Sequence, residues 1–248
     1  MADIVLEDDN LHTMLVAVRQ GRTIYANIRK AVHFLLSTNF SEIETMVAAI
    51  GLGMGSPLTP MQLLWINLMT DIFPALALSM EPPDPGVLRR PPRDPREPIV
   101  STGGLARMAG QSALITAGTM AAFAYGVARH GPGPLPQTLA FNTITLAQLL
   151  HSLSCRSPAP ILFGDRRLAP NPQLELALGV SVLVQALANL VPGLRRLLGL
   201  APMGTLDLLA VGLGAALPLL ANEVLKPGSG GLGEPLPRSR VDCPEVAS

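Results

Sequence analysis

Asn39 and Glu42 stand three residues apart in LLSTNFSEIETM (35–46), so they share one face of any helix formed there. Asn67, Thr70 and Asp71 stand at i, i+3 and i+4 in LLWINLMTDIFPALAL (63–78), again on one face. Together these five side chains supply two carboxylates, two amides and a hydroxyl. All are hard oxygen donors, which suit Ca²⁺, Na⁺ or another hard cation and count against zinc or copper. Pro74 adds a device of its own. It has no N–H, so the carbonyl of Thr70 loses its helical partner and becomes a further oxygen beside Asp71. Two carboxylates repel once an ion leaves them and protonation relieves that repulsion, so cation–proton exchange is expected.

Both carboxylates lie in sequence apolar enough for a bilayer, where a central charge costs roughly 2.5–3.5 kcal/mol. Such groups face a bundle interior or a wet cavity. For Asn39 and Thr70 taken alone, interhelical hydrogen bonding is an equal reading. For Glu42 and Asp71 cation binding is preferred, because a neutral residue would be cheaper as mere glue. Glu44 points about 200° from Glu42 on a helical wheel, toward another helix or a water path, and is not counted as a ligand.

The elements that must hold these residues follow from composition. Of 248 residues 48% are hydrophobic and only 15% charged, against about 25% charged in soluble proteins. Mean hydropathy is +0.38. The 18 basic and 18 acidic residues balance, so nothing suggests a nucleic-acid partner. Cys155 and Cys243 show neither metal-site spacing nor a disulfide framework. His12, His33, His130 and His151 are scattered and read as ordinary polar residues rather than ligands. The first twenty residues are acidic and polar, and show no cleavable signal peptide.

The expected fold class is all-α: a polytopic membrane bundle of six transmembrane helices. A span needs about 20 mostly apolar residues. Six segments qualify, at about 31–52, 58–80, 105–128, 135–153, 174–191 and 206–225. Helix breakers separate them: SPLTP (56–60), the seven-proline stretch 81–98, HGPGPLP (130–136) and SPAPILFGDRRLAPNP (157–172). The short first connection makes spans one and two antiparallel neighbours, with their polar clusters at similar depth. With the N-terminus inside, fifteen of the 18 Lys and Arg residues fall on the cytoplasmic side. Only Arg129, Arg195 and Arg196 fall outside, so both termini are expected in the cytoplasm. Residues 227–248 read as a disordered cytoplasmic tail.

GRTIYANIRKAVHFLL (21–36), STNFSE (37–42) and PLTPMQLLWINLMTDIFPALALSMEPPDP (57–85) closely resemble P-type cation-transporting ATPases of the calcium-pump-like branch. The match is to that family's fifth and sixth transmembrane helices and the loop after them, including RRPPRDPREP. The chain from Leu105 onward resembles the last four helices through weaker motifs. The resemblance implies ligand roles for Asn39, Glu42, Asn67, Thr70 and Asp71, the five already reached from their spacing. It makes Ca²⁺ the first expectation for the ion, ahead of Mn²⁺, Na⁺ or Mg²⁺. Where two-site calcium pumps carry a further glutamate in the eighth helix, this chain has Thr145, with Gln148 one turn on.

Residues 1–20 resemble the end of the family's phosphorylation domain running into a stalk, with Asp3–Leu6 as its last strand. Residues 21–226 correspond to the transmembrane C-terminal domain. The chain contains no DKTGT phosphorylation motif, no TGE loop and no GDGVND motif. The family's first four membrane helices have no counterpart in it. GSGGLG (228–233) fits G-x-G-x-x-G, but follows no strand, opens no helix and is not read as a nucleotide loop. The functional expectation is therefore a membrane module supplying oxygen ligands to a cation. Transport would be driven by ATP and Mg²⁺ chemistry in a separate N-terminal catalytic half, with a lipid bilayer of bacterial plasma-membrane type as host. The alternative expectation is a non-catalytic regulator or assembly partner, or an inert truncated product.

Overall fold

A computed structural model describes residues 11–84, 86–89, 98–157, 159–161 and 168–226. The expected Asp3–Leu6 strand, RRPPRDPREP, the Gly-rich hexapeptide and the tail all lie wholly or mostly outside these residues. Among the described residues the chain is all-helical, with seven α-helices and one short 3₁₀ turn, Val87–Arg89. The helices are α1 (Leu11–Gly51), α2 (Pro60–Ser79), α3 (Thr102–His130), α4 (Pro134–Ser154), α5 (Pro172–Leu190), α6 (Pro192–Leu198) and α7 (Thr205–Leu225).

Breaks fall where the sequence chemistry places them. Proline opens α2, α4, α5 and α6, in the first turn, where a missing N–H costs nothing. Gly53 and Gly55 take φ of +68° and +84° and reverse the chain between α1 and α2. Thr59 then caps α2, accepting from the Gln62 N–H while the Gln62 side chain accepts from the Thr59 N–H. The buried Gln62 amide also donates to the carbonyl of Leu198, tying this turn to α6 at 3.0 Å.

Six of the helices cover the six expected spans to within a few residues, except that α1 begins about five and a half turns earlier. Three are long and apolar enough to cross a membrane: α2, α5 and α7. The others differ for a physical reason. On α4 Thr138, Asn142, Thr143, Thr145, Gln148, His151, Ser152 and Ser154 are all buried, because α3, α7 and α1 surround it. A helix in the middle of a bundle meets protein rather than lipid, so polar groups are tolerated where they find partners.

The tightest crossing joins α3 and α7. Pro218 lies inside α7 and frees the carbonyl of Gly214 four residues earlier. A Cβ at Gly118 of α3 would fall on that oxygen, and a Cβ at Gly214 would come within 2.9 Å of the Gly118 carbonyl. Two missing side chains thus let the backbones touch. α1 packs on α3, α2 on α1, and α5 on the C-terminal half of α2.

The apolar core is in two parts. One holds Ala49, Ile66, Phe141, Ile144 and Ala147; the other holds Phe34, Ala75, Leu78 and Leu174. On α1 and α2 the polar residues lie between them in sequence: Asn39 and Glu42 between Phe34 and Ala49, and Asn67–Asp71 between Ile66 and Ala75. A polar layer therefore runs through the bundle between two dry ones.

Candidate metal centre in the membrane bundle

α2 is not uniform. Asn67–Asp71 form a π-helical turn, with one extra residue per turn. The irregularity expected of Pro74 takes this form: the helix widens just before the proline instead of merely losing one bond. The widened turn buries Thr70 and Asp71, which are 1% and 4% exposed.

Glu42 of α1 is buried too, and the two helices exchange hydrogen bonds reciprocally. Asn67 Nδ2 on α2 donates to Glu42 Oε2 on α1 at 3.2 Å. Asn39 Nδ2 on α1 donates to Asp71 Oδ2 on α2 at 3.3 Å. Each amide nitrogen also donates to its own helix, Asn39 to Leu35 O at 2.7 Å and Asn67 to Leu63 O at 2.9 Å. Four of the five residues singled out in the sequence are thereby tied together between α1 and α2, and the fifth, Thr70, is buried in the same π-helical turn as Asn67 and Asp71.

Two oxygens there have no partner. Among the described residues no hydrogen bond reaches Asp71 Oδ1 or Thr70 Oγ1, although both are buried. A buried carboxylate oxygen left bare is costly, and native proteins rarely keep one without a reason. The chemistry of the set fits a hard cation, which would take these oxygens in place of water.

A sixth residue joins them. Gln148 of α4 donates to Glu42 Oε1 at 3.3 Å, to Ser41 Oγ at 3.2 Å and to the Thr38 carbonyl at 3.2 Å. Its own Oε1 is buried and unpartnered. Thr145, one turn earlier, instead donates to the Phe141 carbonyl of its own helix at 2.7 Å. Spacing alone could not reveal Gln148, because its partner lies 106 positions away. The only sequence signal was an amide one turn beyond Thr145.

Glu44 has a separate environment. Its carboxylate accepts from Ser112 at 2.8 Å and Thr116 at 3.2 Å, both on α3. Of the two expectations for it, another helix is the one realised. Asn67 is exposed, on the α2 face that also bears Leu64, Leu68 and Ile72. The oxygen cluster therefore opens on this side rather than being sealed by the chain.

Scattered in sequence, His33, His151 and Cys155 come together in space: one ligand atom from each lies within 4.8 Å of the others. The helical spacing of His151 and Cys155 was a visible hint; their meeting with α1 was not.

Residues 55–227 match the family described as cation transporting ATPase, C-terminus. The chain is 36% identical over 242 residues to calcium-transporting ATPase 1 of Bacillus cereus, covering 91% of this chain and 27% of that protein. It is 39% identical over 192 residues to a calcium-transporting ATPase of Bacillus subtilis, covering 77% of this chain and 21% of that protein. The endoplasmic reticulum calcium ATPase srcA of Aspergillus fumigatus is 38% identical over 159 residues, with coverage of 64% and 16%. The chain thus spans about a quarter or less of the length of these relatives. With a family match over most of its length, it belongs to the cation-transporting ATPases and corresponds to their C-terminal membrane region.

Proposed function

We propose that this chain is the ion-carrying membrane module of a cation pump, with Asn39, Glu42, Asn67, Thr70 and Asp71 as ligands of the transported ion. The observation that carries this reading is the pairing of two buried carboxylates across α1 and α2, with Asp71 Oδ1 and Thr70 Oγ1 left bare beside them. All donors are oxygen, so the ion is hard; the names of the relatives favour Ca²⁺ among hard ions. ATP would be hydrolysed elsewhere in the full pump.

In this reading all six long helices span the membrane, with the polar faces of α1, α3 and α4 turned inward. The asymmetry of Lys and Arg favours cytoplasmic termini, and the Bacillus relatives favour a bacterial plasma membrane as host. α1 has 41 residues and so reaches about 60 Å, twice the thickness of a hydrocarbon core. Its first half is a lever outside the bilayer, joined without a break to the segment bearing Asn39 and Glu42. Movement of that lever would shift two ligands relative to the three on α2. The site's affinity would then differ between two states, which alternating access requires. Protons would take the place of the released cation on the carboxylates. A further helix covering the open Asn67 face would complete the ligand shell.

The test pairs this chain with the catalytic portion of the Bacillus cereus relative in vesicles and measures cation-dependent ATP hydrolysis and uptake. Asp71→Ala should abolish both, with assembly checked by co-purification. Unchanged cation-dependent hydrolysis in Asp71→Ala would overturn the site assignment.

A further inference from the structure

The cluster of His33, His151 and Cys155 lies outside the oxygen site and uses different chemistry. We propose that these three side chains form a second metal site, specific for a borderline-soft ion of the Zn²⁺ type. The proposal does not depend on the transport reading.

The local geometry comes first. His151 and Cys155 are four residues apart at the end of α4, so both side chains leave the same face. Cys155 Sγ lies 3.3 Å from His151 Nε2. Tetrahedral zinc with Zn–S of about 2.3 Å and Zn–N of about 2.0–2.1 Å sets its sulfur and nitrogen about 3.6 Å apart. The pair is thus already near the bite of one ion. His33 faces them from α1, its ring 6.4 Å from the His151 ring, centroid to centroid. Three protein ligands leave the fourth tetrahedral position to water, as in many zinc sites.

The surroundings orient the outer ligand. His33 Nε2 donates to Gln111 Oε1 on α3. Gln111 is itself fixed, since its Nε2 donates to Asn222 Oδ1 at 3.0 Å, and Asn222 donates to Ser154 Oγ at 2.7 Å. This chain holds the proton on His33 Nε2 and leaves a lone pair on Nδ1. Such an outer amide or carboxylate is what steadies metal-binding histidines.

Charge decides the class of ion. Arg107, Lys226 and Arg29 act electrostatically on His33, and Glu223 acts with the opposite sign on His151 and Cys155, so charge alone offers a cation little net attraction there. The cluster itself offers no carboxylate, so a hard ion such as Ca²⁺ gains little there. An ion that bonds covalently to sulfur and imidazole displaces the thiol proton and keeps the thiolate charge as compensation. His33 and Cys155 each keep a partly exposed surface, while His151 is buried. His33 precedes Asn39 by six residues, about 9 Å of helix, which separates the two centres.

The full 248-residue chain in lipid nanodiscs provides the test. Co²⁺ titration should give one equivalent of a thiolate-to-cobalt charge-transfer band, which Zn²⁺ then abolishes. Cys155→Ser should remove the band and Cys243→Ser should keep it. His33→Gln or His151→Gln should weaken binding at least tenfold, while Glu42→Gln leaves it unchanged. A second readout needs no substitution at the cluster: Zn²⁺, but not Ca²⁺, should slow maleimide labelling of Cys155 at least tenfold, read by peptide mapping. A band surviving in Cys155→Ser, or equal labelling with and without Zn²⁺, would overturn the proposal.

Discussion

Glu223 and the Glu42–Asp71 pair are both buried in this bundle, and their surroundings are built on opposite plans. At the C-terminal end of α7, Glu223 is 1% exposed, and both its oxygens are used. Oε1 accepts from Ser154 Oγ at 2.6 Å and from the Lys226 ammonium, and Oε2 accepts from the Ile161 N–H at 2.6 Å. Lys226 also donates to the Ser154 carbonyl at 2.7 Å. That cluster carries its own cation, and it ties α4, α7 and the loop after α4 together. Between α1 and α2, Glu42 and Asp71 have amides for partners; among the described residues no ammonium or guanidinium hydrogen-bonds to them, and Asp71 Oδ1 has no hydrogen-bond partner. The first cluster is a finished clamp; the second, in the reading proposed above, is the receptor for a cation. Burial alone does not separate a structural acid from a ligand. The state of its oxygens does.

The comparison breaks most visibly at Glu223. Glu223→Ala leaves the Lys226 ammonium buried without its partner, and should destabilise the chain by about 3–5 kcal/mol in thermal unfolding. Glu223→Ala combined with Lys226→Met should regain most of that loss. If the single variant instead lowered cation affinity and left unfolding untouched, the division between clamp and receptor would be wrong.

Asp71→Asn should behave inversely. Removing one of two ligand charges should weaken cation affinity in the reconstituted pump roughly 100-fold, since charge count tunes oxygen sites over decades. Its melting temperature should hold or rise, because functional sites commonly trade stability for activity. A large fall in melting temperature would make Asp71 a structural acid.

The smallest effect sharpens the border of the receptor. Gln148→Leu removes one amide donor to Glu42, worth about a tenfold change in cation affinity for a hydrogen bond to a charged group. Thr145→Val, which loses only a bond within α4, should leave affinity unchanged. Equal losses from the two would place Thr145 in the site as well.

What the sequence disclosed and what it withheld follow from range. Asn67, Thr70 and Asp71 were legible because helical periodicity is local. Their meeting with Asn39 and Glu42 was legible because SPLTP leaves too little chain for the two helices to part. Pro74 announced an irregular helix, but whether the backbone opens or widens depends on packing by α1 and α5. Gln148, the α3 partners of Glu44, and the union of His33 with His151 and Cys155 were hidden for a common reason. Each joins helices whose relative rotation is set by contacts such as Gly118 on Gly214, which no local pattern encodes.

The crossed amides of Asn39 and Asn67 have one more consequence. Each presents its nitrogen to a carboxylate of the other helix. An arriving ion would repel those N–H groups and attract the carbonyl end of the same side chains, so both amides would have to swing over together. Occupancy would then be written in the direction of two small dipoles, readable by isotope-edited infrared spectroscopy as paired shifts in side-chain carbonyl frequency. The amide latch joining α1 to α2 would then give way, at the moment of loading, to a bridge made by the ion itself between Glu42 on one helix and Asp71 on the other.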